Sequence, residues 1–376
     1  MSKLSDQEIK SNTAPHLKWY PENPPIYDIH KTYLENLHEG PFFQGAVPKR
    51  HLPPKEKWLD FLGHKIASPL GVPAGPLLSS SWIKLAADLG FDVLTYKTIR
   101  SKAHPAHPLP NMVYVEPQNL GENEQPVRRT DVPPLNIEHL SVTNSFGMPS
   151  MSQEFLGEDI EKANRSLKEG QVMIVSVVGT PDIGVDFIED YVNAACFAKD
   201  AGAKIIEANF SCPNIDRAGG SLYLSPSSVF TLAERIAKAI HPLPLIIKVG
   251  AFPNEALQSE VMRAAARAGV QAIEGLNTIK RKVVDRMGNP GLDEDRLYSG
   301  LCGGMIRQKA LSFVEWAGRI NAKEKLDLAI LGVGGITLPK HFDLFLERGA
   351  KIALTATGMM WDPYLAAKWH QKNNTN

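Results

Sequence analysis

The segment 209–214, which reads NFSCPN, carries the residue types best suited to chemistry in this sequence. Cys212 can act as a base or nucleophile when its thiol ionises, and the adjacent proline stiffens the turn. Asn209 and Asn214 can donate and accept hydrogen bonds without charge, which suits an amide- or imide-bearing ring. Alternatively, Cys212 is a small buried apolar residue, as many free cysteines are. The motif alone leaves both interpretations open, whereas Cys196, in an apolar helical stripe, is interpreted as packing.

Two glycine-rich segments occur near the C-terminus, GVGGI at 332–336 and TATG at 355–358. Backbone N–H groups in such loops can hold a phosphate, and two of them at successive strand ends favour that interpretation over simple tight turns. Neither segment has the spacing of a G-x-G-x-x-G dinucleotide fingerprint, so a nicotinamide nucleotide is not inferred.

Two lysines, Lys97 in TYKT and Lys248 in IIKVG, lie within apolar strand patterns. A lysine inside a sheet is costly unless an anion compensates its charge. Two of them at one site indicate a cofactor that becomes negative, as a reduced flavin does. The alternative for each is an ordinary ion-paired lysine at a strand end. Asn277 and Thr278 add an uncharged polar pair at another strand end.

The elements that must position these residues alternate between short β-branched runs and longer amphipathic stretches, a pattern of repeated β–α units. Eight strands are predicted, at 66–74, 92–98, 173–179, 204–210, 244–250, 272–278, 329–335 and 351–358. Eight such pairs predict a (β/α)₈ TIM barrel, with an open doubly wound sheet as the alternative. Long insertions at 99–172 and 279–303 follow the second and sixth strands, where barrel enzymes build substrate walls.

Residues 1–60 are rich in proline, tyrosine and charge, with one short helix predicted around 26–37, and are interpreted as an N-terminal arm on a barrel domain of residues 61–376. Forty-one basic and 41 acidic residues balance, which argues against nucleic acid or an anionic membrane as a main partner. Three sparse cysteines suit a reducing cytoplasm and do not form a metal-site pattern. We expect no signal peptide, transmembrane segment or metal site.

With these residues in place, the order of motifs resembles the dihydroorotate dehydrogenase family. NSFGMPS, NFSCPN and GLNT are similar to the family segments N-S-M-G-L-P-N, N-L-S-C-P-N and V-N-S. GLCGGMIRQKAL, GVGGI and TATG follow in the family order and resemble G-L-S-G-x-x-I-K-P-x-A-L, G-x-G-G-I and I-G-T. The resemblance spans residues 66–368. Cys212 places the chain with class 1 of the family, in which the base is a cysteine, although Ser150 departs from the substrate-loop pattern.

The resemblance implies FMN as cofactor and a dihydroorotate-like pyrimidine as substrate. The implied cofactor-binding residues are Ala74, Gly75, Lys97, Thr98, Asn209, Lys248, Leu276, Gly303, Gly334, Gly335, Ala356 and Thr357. The implied substrate-binding residues are Lys97, Asn144, Phe146, Gly147, Met148, Asn209, Asn214, Asn277 and Thr278. Cys212 is implied to remove a proton from C5 of dihydroorotate while hydride passes from C6 to the flavin, giving orotate for pyrimidine biosynthesis.

Alternatives remain at this point. A related flavin barrel reduces uracil or another pyrimidine, as in dihydropyrimidine dehydrogenase, and a non-catalytic phosphate-binding barrel would retain the glycine loops. Class 1 relatives imply a homodimer. The sequence IDRAGGSLYLSP, which follows the cysteine motif, resembles the subclass that pairs with an iron–sulfur, FAD-bearing electron-transfer subunit. The electron acceptor stays open.

Overall fold

The computed structural model describes residues 25–50, 52–120, 125–181, 184–211 and 221–374. The strands are β1 (Leu59–Phe61), β2 (His64–Ile66), β3 (Leu70–Val72), β4 (Val93–Ile99), β5 (Met112–Val115), β6 (Val127–Thr130), β7 (Ser141–Asn144), β8 (Val172–Val177), β9 (Ile205–Asn209), β10 (Leu245–Lys248), β11 (Ala272–Gly275), β12 (Ile279–Val284), β13 (Tyr298–Gly303), β14 (Ala329–Val333) and β15 (Ile352–Leu354). The helices are α1 (Tyr33–Glu39), α2 (Ser80–Asp88), α3 (Gln153–Ser166), α4 (Phe187–Asp200), α5 (Pro226–Ile240), α6 (Glu255–Arg267), α7 (Arg307–Glu324), α8 (Pro339–Glu347), α9 (Thr357–Trp361) and α10 (Leu365–Asn374).

Eight parallel strands close into a barrel in the order β3, β4, β8, β9, β10, β11, β14, β15. Each overlaps one of the eight predicted segments, with β4 and β8 extending one residue beyond theirs, so the (β/α)₈ barrel is confirmed and the open-sheet alternative is wrong. The first strand is shorter than predicted, because Pro69 and Pro73 flank it and proline cannot donate to a strand ladder.

Burial and capping explain why these segments form strands and helices. All six residues of β8 are buried, as expected for a parallel strand covered on both faces. Polar side chains cap the helices: Asp186 accepts hydrogen bonds from two amides at the start of α4, and Asn254 accepts one at the start of α6. Gly202 and Gly269 follow these two helices with φ of 96° and 87°, the left-handed conformation common at helix ends.

The amino-terminal end of the barrel is closed by the antiparallel hairpin of β1 and β2. Phe61 and Ile66 are fully buried and pack in one cluster with interior residues of the barrel strands, including Val93, Ile205 and Ile246. Because this end is filled by apolar side chains, the polar residues of the interior lie towards the opposite end.

That opposite end carries a second, smaller closed barrel of five strands, β5, β6, β7, β12 and β13. The first three come from the insertion after the second barrel strand and the last two from the insertion after the sixth. β7 pairs with β13 and β6 with β12, so the two insertions form one cap. Both insertions were predicted, but their joint barrel was not.

Residues 25–50 pack on the main barrel. The amide of Ile26 donates to the carbonyl of Met360 at 2.9 Å, and the ring centroid of Tyr27 lies 6.1 Å from that of Trp82 in α2. The predicted helix at 26–37 is displaced to α1, because a capping box of Thr32 and Glu35 fixes its start at residue 33. The proposed division of the chain at residue 60 stays a prediction.

Candidate active site

A cavity of about 1090 Å³ lies between the carboxyl ends of the barrel strands and the cap. It is large enough for a nucleotide-sized cofactor together with a small ring. Every predicted site residue that the structure describes lines it: Ala74, Gly75, Lys97, Thr98, Asn144, Phe146, Gly147, Met148, Asn209, Lys248, Leu276, Asn277, Thr278, Gly303, Gly334, Gly335, Ala356 and Thr357. The two remaining predicted residues, Cys212 and Asn214, lie outside the described residues.

The predicted substrate loop leaves β7 at Asn144, and buried guanidinium groups hold its backbone from two sides. Arg296 donates from Nη1 to the carbonyl of Ser145 at 3.1 Å. Arg100 donates from Nε to the carbonyl of Met148 at 2.8 Å and from Nη2 to that of Gly147 at 3.3 Å. Neither arginine was singled out from the sequence.

One wall of the cavity is an uncharged polar network at the ends of β9 and β11. Asn277 donates from Nδ2 to Oγ of Ser211 at 2.7 Å, and the Ser211 hydroxyl donates to Oδ1 of Asn209 at 3.0 Å. Tyr191 fixes this corner by donating to the carbonyl of Asn209 at 2.7 Å. The two predicted amide side chains are therefore joined through a serine.

Both predicted lysines are buried at the floor of the cavity. Lys97 donates to the carbonyl of Thr98 at 3.2 Å. Nζ of Lys248 lies 2.8 Å from Oε1 of Glu274. Burial by itself lowers the pKa of Lys248, but the carboxyl groups of Glu274 and Glu207 outweigh it and raise that pKa. Lys248 is thus held as an ammonium, and its nearest compensating anion is a glutamate side chain, which matches the ion-paired alternative that the sequence left open for this lysine.

The glycine-rich segments lie together at the end of the cavity towards β14 and β15. Gly335 has φ of 78°, and a Cβ there would lie 2.7 Å from Cβ of Arg307. Arg307 donates from Nε to the carbonyl of Gly335 at 2.7 Å and from Nη2 to that of Glu138 at 2.5 Å. Lys340, and then His341, lower the pKa of the Glu138 carboxyl to about 2. Arg307 therefore joins the Gly335 loop to the backbone of Glu138.

Sequence reasoning missed several residues of the cavity wall, among them two tyrosines, a histidine and a cysteine. Tyr27 and Tyr33 come from the N-terminal arm, and the ring centroid of Tyr27 lies 6.1 Å from that of Phe146. The Tyr27 hydroxyl is buried and has no hydrogen-bond partner among the described residues. His107 bonds the Ser145 hydroxyl at 3.2 Å, and Cys302 accepts a hydrogen bond from Asn144 at 3.2 Å. Burial raises the pKa of the Cys302 thiol to about 11, so it is neutral at physiological pH.

With this geometry in view, the comparisons with known proteins identify the family. The model of the dihydroorotate dehydrogenase family matches residues 128–371. The dihydroorotate dehydrogenase of Dictyostelium discoideum is 45% identical over 371 residues, which cover 96% of this chain and 100% of that protein. The chain belongs to the dihydroorotate dehydrogenase family.

More distant similarities cover part of the chain. The catalytic subunit of dihydroorotate dehydrogenase B (NAD(+)) from Shouchella clausii is 27% identical over 179 residues, covering 47% of this chain and 56% of that protein. Subunit PreA of the NAD-dependent dihydropyrimidine dehydrogenase from Escherichia coli K12 is 30% identical over 232 residues, covering 58% and 53%.

Dihydroorotate dehydrogenases are flavin-dependent enzymes, and the cavity fits such a group. Its volume is sufficient, glycine-rich loops lie at one end, and buried lysines lie at the floor. Within the described ranges, no helix is both long and apolar enough to cross a membrane.

Proposed function

We propose that this chain oxidises dihydroorotate to orotate, the oxidation step of de novo pyrimidine synthesis, with FMN in the cavity. The observation that carries the proposal is the convergence of the substrate loop, the Asn209–Ser211–Asn277 network and two buried lysines on one cavity. The extent of similarity to the Dictyostelium enzyme, over nearly the whole chain, supports dihydroorotate over the dihydropyrimidine alternative.

In this proposal, uncharged donors and acceptors recognise the pyrimidine ring, whose amide and carbonyl edges they match. The substrate-binding residues are Lys97, Asn144, Asn209, Asn214, Asn277 and Thr278, with the backbone of Phe146, Gly147 and Met148. Arg100 and Arg296 orient the loop. This orientation matters for the rate, because a displacement of about 1 Å in a reacting group can reduce a rate about 100-fold.

Cys212 is the proposed general base for the proton at C5 of the substrate. A thiol with an ordinary pKa of about 8.5 is only slightly ionised at neutral pH. The base therefore needs polar neighbours that stabilise its thiolate, and the Ser211 hydroxyl precedes it directly in the chain.

Bound FMN would supply the hydride acceptor. Its phosphate would contact Gly303, Gly334, Gly335, Ala356 and Thr357, and its ring Ala74, Gly75, Thr98, Asn209 and Leu276. Lys97 and Lys248 would stabilise negative charge that develops at the pyrimidine edge of the ring, because buried cations act strongly at low dielectric.

The assembly and location remain proposals from the class 1 resemblance: a cytoplasmic homodimer, and an electron-transfer partner subunit suggested by the sequence after the cysteine motif. Residues 1–60 form the proposed arm and 61–376 the barrel domain. Sedimentation of the purified chain tests the dimer, and steady-state assays with fumarate, NAD⁺ and a quinone as separate acceptors test the need for a partner.

An anaerobic absorbance titration with L-dihydroorotate tests the function directly. Bleaching of the flavin band is expected. If the flavin band bleaches with dihydrouracil and not with dihydroorotate, the substrate is another pyrimidine. A protein that cannot be loaded with FMN would refute the flavin assignment.

Substitution of Cys212 by alanine separates binding from chemistry. We expect flavin to stay bound while its reduction by dihydroorotate slows by about 10²–10⁴-fold, the usual contribution of a positioned base. Cys196→Ala, in α4 outside the cavity, is the matched control and should reduce at the wild-type rate. Equal rates for the two variants in stopped-flow reduction would contradict the role of Cys212.

A further inference from the structure

Three ionisable side chains lie inside the barrel, where adjacent strands point them to the same side. They are Glu207 in β9, Lys248 in β10 and Glu274 in β11, with exposed fractions of 0%, 2% and 0%. Lys248 is in register with Glu274 on one side and with Asn209 on the other, and Glu207 lies two residues before Asn209 on the same strand. Since side chains alternate along a strand, all three face the interior beneath the cavity.

The charges of this group do not balance if all three ionise. Nζ of Lys248 lies 2.8 Å from Oε1 of Glu274, an ion pair that compensates one carboxylate. The carboxylate oxygens of Glu207 and Glu274 accept no aligned hydrogen bond from any described residue. A second, uncompensated carboxylate in this interior would be strongly disfavoured, because a buried charge needs a partner. Lys97 on β4 also lines the cavity and is 7% exposed, but the charges that shift the pKa values of Lys248 and Glu274 come from within the group itself.

A proton held between the carboxyl groups removes this imbalance. Two carboxyl groups at one site cannot both ionise easily, so one binds a proton well above its ordinary pKa. Burial, followed by the charge of Glu207, raises the pKa of Glu274 well above its usual value. The pair then carries one negative charge, and that charge neutralises Lys248.

We propose that Glu207 and Glu274 share one proton and form with Lys248 a neutral unit that sets the reduction potential of the bound flavin. The second half of this inference rests on the proposed function. With both carboxyl groups ionised, the unit would be negative and would oppose the charge gained by the reduced ring. With the shared proton, Lys248 stays an ammonium, and the unit beneath the flavin carries no net negative charge. Glu207 and Glu274 are therefore positioning residues that act through Lys248.

Infrared spectroscopy tests the proton itself. In protein labelled with ¹³C-glutamate, we expect a protonated-carboxyl band that shifts with the label, as flavin carbonyl bands do not. Glu207→Gln and Glu274→Gln should each abolish it, because the remaining glutamate ionises beside Lys248. The control Asp92→Asn removes a buried carboxyl at the amino end of β4, whose pKa burial also raises, and must leave the labelled band unchanged. Absence of the labelled band in the wild type overturns the shared proton.

The flavin potential, measured against pH, tests the consequence. If the unit is neutral, Glu207→Gln leaves the net charge of the unit unchanged. The ratio of affinities for reduced and oxidised flavin should then stay within about twofold of the wild-type ratio at neutral pH. The double variant with both glutamines should raise that ratio at least tenfold, about 30 mV for two electrons. A similar rise in Glu207→Gln alone would mean that both carboxyl groups ionise, and no rise in the double variant would remove the unit from control of the potential.

The two measurements distinguish failure of the proposed function from failure of the shared proton. Failure of flavin to bind would refute the proposed function and the potential argument with it, while the infrared result still decides the shared proton. Thermal unfolding of each variant identifies any that fails to fold, in which case the other single variant provides the test.

Discussion

Substitution of Arg296 by lysine should disable the substrate loop while the barrel stays folded. Arg296 is 8% exposed and lies in the cap between β12 and β13. Its guanidinium donates to three carbonyl groups at 3.1 Å each, those of Pro108, Pro110 and Ser145, and its Nε donates to Asp293 at 2.6 Å. One planar group thus joins the two insertions, and a lysine ammonium cannot reach all four acceptors.

The size of the effect follows from the bond to Ser145, the one that holds the loop itself. A hydrogen bond from a charged donor contributes about 1.5–3 kcal/mol. If that free energy holds the loop in its productive position, its loss lowers kcat/KM for dihydroorotate by about 10- to 150-fold. The loop amides, including that of Ser145, which donates to the carbonyl of Asn111, should exchange hydrogen faster.

Arg319→Lys is the matched control. Arg319 also binds a carboxylate through two nitrogens, with distances of 3.1 and 2.8 Å to Glu255, but on exposed helices away from the cavity. Such surface pairs contribute about 0–1 kcal/mol, so its kcat/KM should stay near wild type. If Arg296→Lys also kept the wild-type kcat/KM and unchanged amide exchange, the argument that Arg296 positions the loop would be wrong.

Three further substitutions test other parts of the site. Gly335→Asp should abolish FMN retention on gel filtration through the close approach of Arg307, whereas Gly288→Asp, at a φ of 89° with no atom within 4 Å of its Cβ, should retain it. Tyr27→Phe removes a buried hydroxyl at the cavity, and loss of its hydrogen bond to the ligand should weaken orotate binding in calorimetry by about 2- to 12-fold. Unchanged binding with a higher melting temperature would show that the hydroxyl contacts no ligand. Burial, and then the charge of Arg307, lowers the pKa of His341 from 6.5 to about 4. Its protonated form is therefore disfavoured in the fold, and stability present above pH 6.5 should fall as the pH drops towards 4. His341→Gln should flatten that part of the melting-temperature profile, and an equally steep profile in the variant would contradict the assignment.

Local sequence patterns were sufficient for the main barrel because each strand is a short apolar run whose periodicity needs no distant partner. The cap was harder to predict. The two pairings that join its insertions, β7 with β13 and β6 with β12, span more than 150 residues of chain, and no local pattern records such a pairing. Motifs on strand ends were sufficient to select residues that line the cavity, whereas Tyr27 reaches the cavity only through the folding of a proline-rich arm.

The interior acid pair did leave a signal in the sequence. Glu207 and Glu274 stand within the apolar runs KIIEANF and AIEGLNT, where a charged residue is unexpected in a fully buried strand. The same reasoning that selected Lys97 and Lys248 would have selected them.

The five-stranded cap has a consequence for how this enzyme can be modified. Neither insertion can complete its hydrogen-bond ladder without the other, since β7 and β6 each find a partner in the second insertion. A chimaera that received one insertion from a relative with a different second one would expose unpaired strand edges, which promote aggregation. The two insertions therefore have to be exchanged together, and we expect them to have diverged together during evolution.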